Sequence, residues 1–410
     1  MKKFRLLAIA LIAIFTLSMA LMACDPASSV NPEDSSIITE SAPDSSVETP
    51  DSGVENPDSS VDGGDDPVKP EPTYGLPVAE LGYYIKDADV IDDGETRILV
   101  YSTNGEAVED YNVIATRTAT FVEEKGWLYG EEVIALEGEI GAWDEFIGSA
   151  SIVKGAFEYG DVNYNYLMAY CATAQANDTQ FEIGLAVASE IGGTWVNVGN
   201  RAIIEYNEAV YGTGCVGCYA PSLVNLNKQS AIRIYYTYAD IYGHFSQFID
   251  INASDLDALY TDAAKTDVNL ISGTNHMPTN GQFSGGDAAL MFPNADFAHV
   301  DGKVYTVKDY SPTAATVPNY ADRIELGYIV ESELYTVELG SGWQSLKLWD
   351  MFDTPESMYE RLYSACIVAD AYGHLASVES VEVIYNICEV AADNSDWMFT
   401  QNLVSIVYTA

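Results

Sequence analysis

Positive charge is scarce in this chain. Eighteen Lys and Arg stand against 62 Asp and Glu, a formal charge of −44. Binding a polyanion depends on cations that neutralise phosphate, so DNA and RNA are excluded as partners. Cysteine is scarce too, with six residues in 410. Five remain after Cys24, at 171, 215, 218, 366 and 388, too few for a disulfide scaffold. Any core must therefore come from apolar burial. Only four histidines are present, and they are dispersed. His276 and His299 read as loop and strand residues, and no metal motif is found. Cys215-Val-Gly-Cys218 has the CxxC spacing, but a structural zinc site needs two more ligands. The flanking Gly212, Gly214 and Gly217 read as a loop, with room for a local disulfide. Long stretches of 3.6-residue periodicity are also missing, and with them the alternating strands and helices of a solute-binding receptor.

The N-terminus has a different character. Lys2, Lys3 and Arg5 precede an apolar stretch from Leu6 to Ala23, the charge-then-apolar order of a secretory signal. The stretch ends in Leu21-Met22-Ala23-Cys24, which resembles the bacterial lipoprotein signal box. That resemblance implies acylation of the Cys24 thiol, and an extracytoplasmic protein held to a membrane only by its lipid. The alternative is a transmembrane anchor, since about 18 apolar residues nearly span a bilayer. Residues 24–75 are rich in Ser, Asp, Glu, Pro and Val and lack aromatics until Tyr74. Such a segment buries too little apolar surface to offset its ordering entropy. It reads as a disordered tether, with a coil span of roughly 40 Å.

Residues 76–410 alternate Tyr, Val and Ile with polar residues, in short runs bounded by Gly, Asn and Asp. This is an all-β pattern. It repeats. Ala150-Ser-Ile-Val-Lys154, Tyr166-Leu-Met-Ala-Tyr170, Ile183-Gly-Leu-Ala-Val-Ala-Ser189 and Gly193-Thr-Trp195 form one unit. Similar units start at Ala88, Ala220, Ala295 and Ala365. Tyr101, Tyr170, Tyr236 and Tyr305 recur at spacings of 69, 66 and 69. Five units of about four strands predict a five-bladed β-propeller, a monomer with its tyrosines in the core.

The order of these pieces resembles the five-bladed propeller glycosidases around glycoside hydrolase family 43. The resemblance covers nearly the whole chain after the tether. It implies hydrolysis of an extracellular poly- or oligosaccharide with inversion. One carboxyl group then protonates the leaving oxygen and another activates water. It implies a base Asp on the first blade, a helper Asp on the second, an acid Glu on the third and a histidine on the fifth. Ala88-Asp89-Val90 makes Asp89 the base candidate. Ser151, Tyr219 and Tyr363 stand where the helper, the acid and the histidine are implied, so the match is partial. Asp144, Glu145, Glu205 and Glu208 are the nearest upstream carboxylates. Ala295-Asp296-Phe297 repeats the local pattern of Asp89, which makes Asp296 a second catalytic candidate facing the same pocket. Asp287, Ser151, Tyr219, Arg361 and Tyr363 are the substrate-binding candidates. No cofactor is expected; a central Ca²⁺ is the one ion that the resemblance allows. Loss of the acid–base pair would leave a propeller that binds glycan without cutting it.

Overall fold

A computed structural model describes residues 73–74, 85–104, 112–176, 179–240, 243–260, 269–270, 292, 294–310, 323–334, 343–353, 361–388 and 403–410. Cys24, the signal and nearly all of the tether, Asp287, His276 and Trp397 lie outside the described residues.

The fold is all-β: five antiparallel sheets arranged as a five-bladed propeller. Blade one holds β1 (Thr73–Tyr74), β2 (Lys86–Asp92), β3 (Thr96–Asn104), β4 (Asn112–Val122), β5 (Gly126–Tyr129) and β6 (Val133–Glu137). Blade two holds β7 (Phe146–Tyr159), β8 (Val162–Thr173), β9 (Glu182–Ala188) and β10 (Val196–Asn197). A short helix, α1 (Glu208–Tyr211), precedes blade three. That blade is β11 (Gly217–Asn225), β12 (Ala231–Asp240), β13 (Gly243–Asn252) and β14 (Asn269–Leu270). Blade four is β15 (Asp296–Val300), β16 (Lys303–Tyr310), β17 (Arg323–Val330) and β18 (Gln344–Trp349); blade five is β19 (Arg361–Ile367), β20 (Ser380–Cys388) and β21 (Leu403–Thr409). The innermost strands β2, β7, β11, β15 and β19 each touch the next, and β19 touches β2 to close the ring.

A single twisted sheet would leave both faces bare. Here an apolar cluster fills each of the five blade interfaces. Ile91, Val100 and Ile114 meet Ile152, Met168 and Ala186 between blades one and two. Ile85, Leu99 and Tyr101 meet Cys366, Ile384 and Leu403 between blades five and one. Each large aliphatic side chain so buried contributes about 1.5–3 kcal/mol. The four recurring tyrosines are core residues, none more than 3% exposed. Arg97 adds a polar tie across the ring seam. Its guanidinium donates to both oxygens of Glu382 on β20, at 3.0 and 2.8 Å, and to Asp92 at 2.7 Å.

Three local expectations need correction. The fourth strand of blade two is Val196–Asn197, and Trp195 just before it is a buried core residue. In blade three, where the repeat also predicts a weak fourth piece near Tyr260, the strand is Asn269–Leu270 and Tyr260 ends a 3₁₀ turn. Cys215 and Cys218 are not joined by a disulfide. Cys218 lies within β11, where its Sγ meets the Tyr211 hydroxyl, so strand pairing rather than a disulfide fixes it.

One end of the axis has a floor. The segment 369–375 leaves blade five and crosses beneath the other four inner strands. Its carbonyls accept from Asp92 N (Ala369 O, 2.7 Å), Lys154 N (Ala371 O, 2.6 Å), Asn225 N (Tyr372 O, 2.9 Å) and His299 N (Gly373 O, 3.1 Å). These amides would otherwise be orphan donors at strand ends, which is costly when buried. The Asp370 carboxylate accepts from Tyr372 N and His374 N and pins the segment. Gly373 has φ +79°, and a Cβ there would lie 2.6 Å from Leu223 O. Only glycine fits that approach.

Candidate active site

The other end of the axis opens into a small pocket, a cavity of about 40 Å³. It is built by one repeated device. Each inner strand carries a triplet: Asp87-Ala-Asp89, Ser149-Ala-Ser151, Ala220-Pro-Ser222, Asn294-Ala-Asp296 and Ser364-Ala-Cys366. The first residue of every triplet has positive φ: 51°, 32°, 46°, 44° and 46° in blade order. In blades one, two, three and five the strand register slips across the triplet. These are β-bulges, which re-aim a side chain where regular pairing would not. Non-glycine residues in the left-handed region cost of order 1 kcal/mol or more each. Five such residues around one pocket mark it as the strained place in the fold. In blade three the repeat is in register at Pro221, one residue beyond the sequence-based alignment on Ala220.

The third residues form a ring of acceptors. Asp89 Oδ2 accepts from Ile152 N at 3.1 Å, and Ser151 Oγ from Leu223 N at 3.0 Å. Ser222 Oγ accepts from Phe297 N at 3.0 Å, and Asp296 Oδ2 from Ile367 N at 2.7 Å. Each of blades one to four thus binds the amide following the next blade's third residue. Asp89 Oδ1 also accepts from its neighbour Val90 N at 2.9 Å. The Ser151 hydroxyl bonds to Asp89, and the Ser222 hydroxyl to Asp296.

Asp89 and Asp296 do converge on the pocket, as the sequence pattern anticipates. Burial pushes both carboxyl groups up, and the charge of Asp89 pushes Asp296 further. Two carboxylates this close in a desolvated ring do not both ionise readily. They also carry the blade-to-blade ring, a role filled by serine in blades two and three.

The remaining expected residues scatter. Ser151 is buried in the ring. Tyr219 is half-buried and outside the pocket lining, its hydroxyl 2.6 Å from His244 Nδ1. Burial, then the charges of Asp309 and Asp87, hold its phenol well above the usual range. Arg361 and Tyr363 lie on β19, each 2% exposed, and neither lines the pocket. Of the upstream carboxylates, Asp144 accepts from Tyr170 and Asn197, Glu205 pairs with Arg201, and Glu208 accepts from Thr213. None of them reaches the axis.

Three further residues belong to the site. Asp87 and Asn294 occupy the first triplet position and line the pocket. Asp309 on β16 lies behind them, 2% exposed. Its Oδ2 accepts from Asn294 Nδ2 at 2.6 Å, and its Oδ1 from Ser364 N at 2.7 Å. Ser364 Oγ in turn donates to Asp87 Oδ1 at 2.7 Å. Burial, with a smaller push from the Asp87 charge, raises the Asp309 carboxyl to about 8. The available signal was the triplet itself, an alanine between two polar residues at the start of blades one, two and four. The link from Asp309 to Asn294 crosses two strands and leaves no local pattern.

A calcium site needs six to eight oxygens around one point. Among the described residues no group of three or more His, Cys, Asp or Glu could hold a metal ion. Asp89 and Asp296 already direct oxygens to backbone amides, so the residues present do not fit that ion.

No protein-family model matches this chain, and no curated protein sequence matches it. Solved structures do. A family 117 glycoside hydrolase produced by the marine bacterium Zobellia galactanivorans is 12% identical over 82% of this chain and 88% of its own, with a TM-score of 0.49. An alpha-L-arabinofuranosidase from Lactobacillus brevis is 10% identical over 81% and 92%, with a TM-score of 0.48. A thermostable family-43 glycoside hydrolase is 15% identical over 77% and 87%, with a TM-score of 0.44. These are likenesses to glycoside hydrolase structures, and at these identities and TM-scores no role of this chain follows from them.

Proposed function

We propose that this chain hydrolyses a glycosidic bond at the axial pocket of its propeller. The observation that carries the reading is the convergence of Asp87, Asp89 and Asp296 on one desolvated pocket, with Asp296 raised by burial and by Asp89. Glycoside hydrolysis needs one carboxyl group that holds a proton and another that takes one. Asp296 is the candidate acid. Asp87 is the better-placed base, because its bulge aims it at the pocket while Asp89 is tied to two backbone amides. The substrate is an extracellular poly- or oligosaccharide. The chain reaches it as an exported lipoprotein acylated at Cys24, a reading that Cys24→Ser tests by loss of palmitate labelling and release from membranes.

A second reading has its own support. Asp89 and Asp296 occupy ring positions that serine fills elsewhere, and Ser151 and Tyr219 stand where the family resemblance implies carboxylates. On this reading the pocket binds a glycan end without cutting it. Reducing-end release from a panel of polysaccharides separates the two. Under hydrolysis, Asp87→Asn and Asp296→Asn each lower kcat/KM by about 100-fold or more. Binding of a glycan with no product, unchanged in both variants, would refute hydrolysis and leave the binding reading.

A further inference from the structure

Asp309 touches neither pocket nor solvent, yet among the described residues it is the one carboxyl shown bonded to two of the five triplets. We propose that Asp309 is a positioning residue that fixes Asn294 and, through Ser364, Asp87 at the mouth of the axial pocket. The inference rests on the pocket being the site of glycan recognition, and its geometry can be tested without that premise.

The argument starts from the bulges. A residue at positive φ in a strand is held there only if its surroundings over-determine it. The same holds for the turn residue Asn294, just before β15, and for Ser364 within β19, at 44° and 46° on neighbouring blades. Their side chains could turn away from the axis unless something behind the wall holds them. Asp309 supplies that hold from β16, the strand next to β15 and in contact with β19. One carboxylate oxygen takes the Asn294 side-chain amide and the other takes the Ser364 backbone amide. One N–H of Asn294 is thereby engaged, which fixes the amide's orientation and leaves its carbonyl oxygen and its second N–H as the groups it can offer to a ligand. The Ser364 backbone is fixed in the orientation that points its hydroxyl at Asp87. One buried side chain thus sets two polar groups on opposite sides of blade five's bulge.

The neighbourhood explains why the residue is an aspartate. An asparagine at 309 offers one acceptor and one donor, whereas Asn294 Nδ2 and Ser364 N are both donors. Only a carboxyl group can accept from both, while Asp87, Lys308 and Tyr219 provide the surrounding charged and titratable groups.

Two measurements test the assignment. The first is a crystal structure of Asp309→Ala. The expected result is that Asn294 and Ser364 change side-chain conformation and the Ser364–Asp87 bond is lost, while the acceptor ring from Asp89 to Asp296 is retained. An unchanged Asn294–Ser364–Asp87 arrangement would overturn the proposal whatever the pocket binds. The second is a double-mutant cycle on affinity for the best-bound oligosaccharide of the panel. Asp309→Asn and Asn294→Ala each weaken binding about 10-fold, and the double variant also about 10-fold, because both act through one group. Additive, 100-fold loss in the double variant, with both singles folded, would mean that Asp309 is merely structural. A wild-type protein that binds no glycan sinks the functional reading, and the crystal structure alone then decides the role of Asp309.

Discussion

Replacing Asp309 by asparagine should change how stability depends on pH. In the folded protein its carboxyl is raised from 3.8 to about 8, chiefly by burial. Between those values the native state holds a proton that the unfolded chain has released. Wild-type stability from this group is therefore fully present below about pH 4 and declines as pH rises toward 8. Each pH unit corresponds to about 1.4 kcal/mol, so the full decline is roughly 5 kcal/mol. Asp309→Asn carries no proton to lose. It keeps one oxygen for Ser364 N, and Asn294 turns its amide over to accept from the new NH₂ group. Asp87, Asp89 and Asp296 are present in both proteins, so their contributions cancel in the difference. Urea unfolding at pH 4.5, 6.0 and 7.5 and constant ionic strength measures that difference. The variant should gain on the wild type by about 4 kcal/mol between pH 4.5 and 7.5, whatever the offset at acid pH. Parallel stability curves, within about 1 kcal/mol of each other, would refute the raised carboxyl and mean that the two amide donors, Asn294 Nδ2 and Ser364 N, keep Asp309 ionised in the folded protein.

Three other perturbations have defined outcomes. Gly373→Ala should cost about 2–4 kcal/mol in chemical denaturation, from left-handed strain and from contact with Leu223 O; a loss under about 0.5 kcal/mol would mean that the floor segment is not held where described. Arg97→Met should lower stability by about 3 kcal/mol, because Glu382 and Asp92 lose their shared partner at the seam between blades five and one; thermal melts read this, and an unchanged Tm counts against the tie. His299 is pushed down to about 3 by burial, then by the charges of Arg233 and His374, so native stability should fall as pH drops from about 6.5 toward 3. His299→Gln keeps an acceptor for the Tyr235 hydroxyl and should unfold at lower pH than the wild type in an acid titration.

The blade pattern was legible because strand alternation is local. Val100, Tyr101, Met168 and Tyr170 lie in runs whose period follows from the pleat, and the spacing of the tyrosines follows from blade length. Charge was equally legible, since the excess of acid is a sum over residues and needs no fold. Asp89 and Asp296 could be read as a pair because both follow an alanine at a blade start. What the sequence pattern did not contain was their dual position, as pocket carboxyls and as links in a ring with Ser151 and Ser222. That ring exists only when five strands meet, because each acceptor bonds an amide some 70 residues away along the chain. Asp87 was passed over because a bulge, not alternation, turns it toward the axis. Asp309 was passed over because burial raises its carboxyl, and its partners Asn294 and Ser364 come from two different blades. Local physics thus determined the strand pattern and the number of blades. Long-range packing decided which carboxyl groups face the pocket, which close the ring, and which one stands behind the wall.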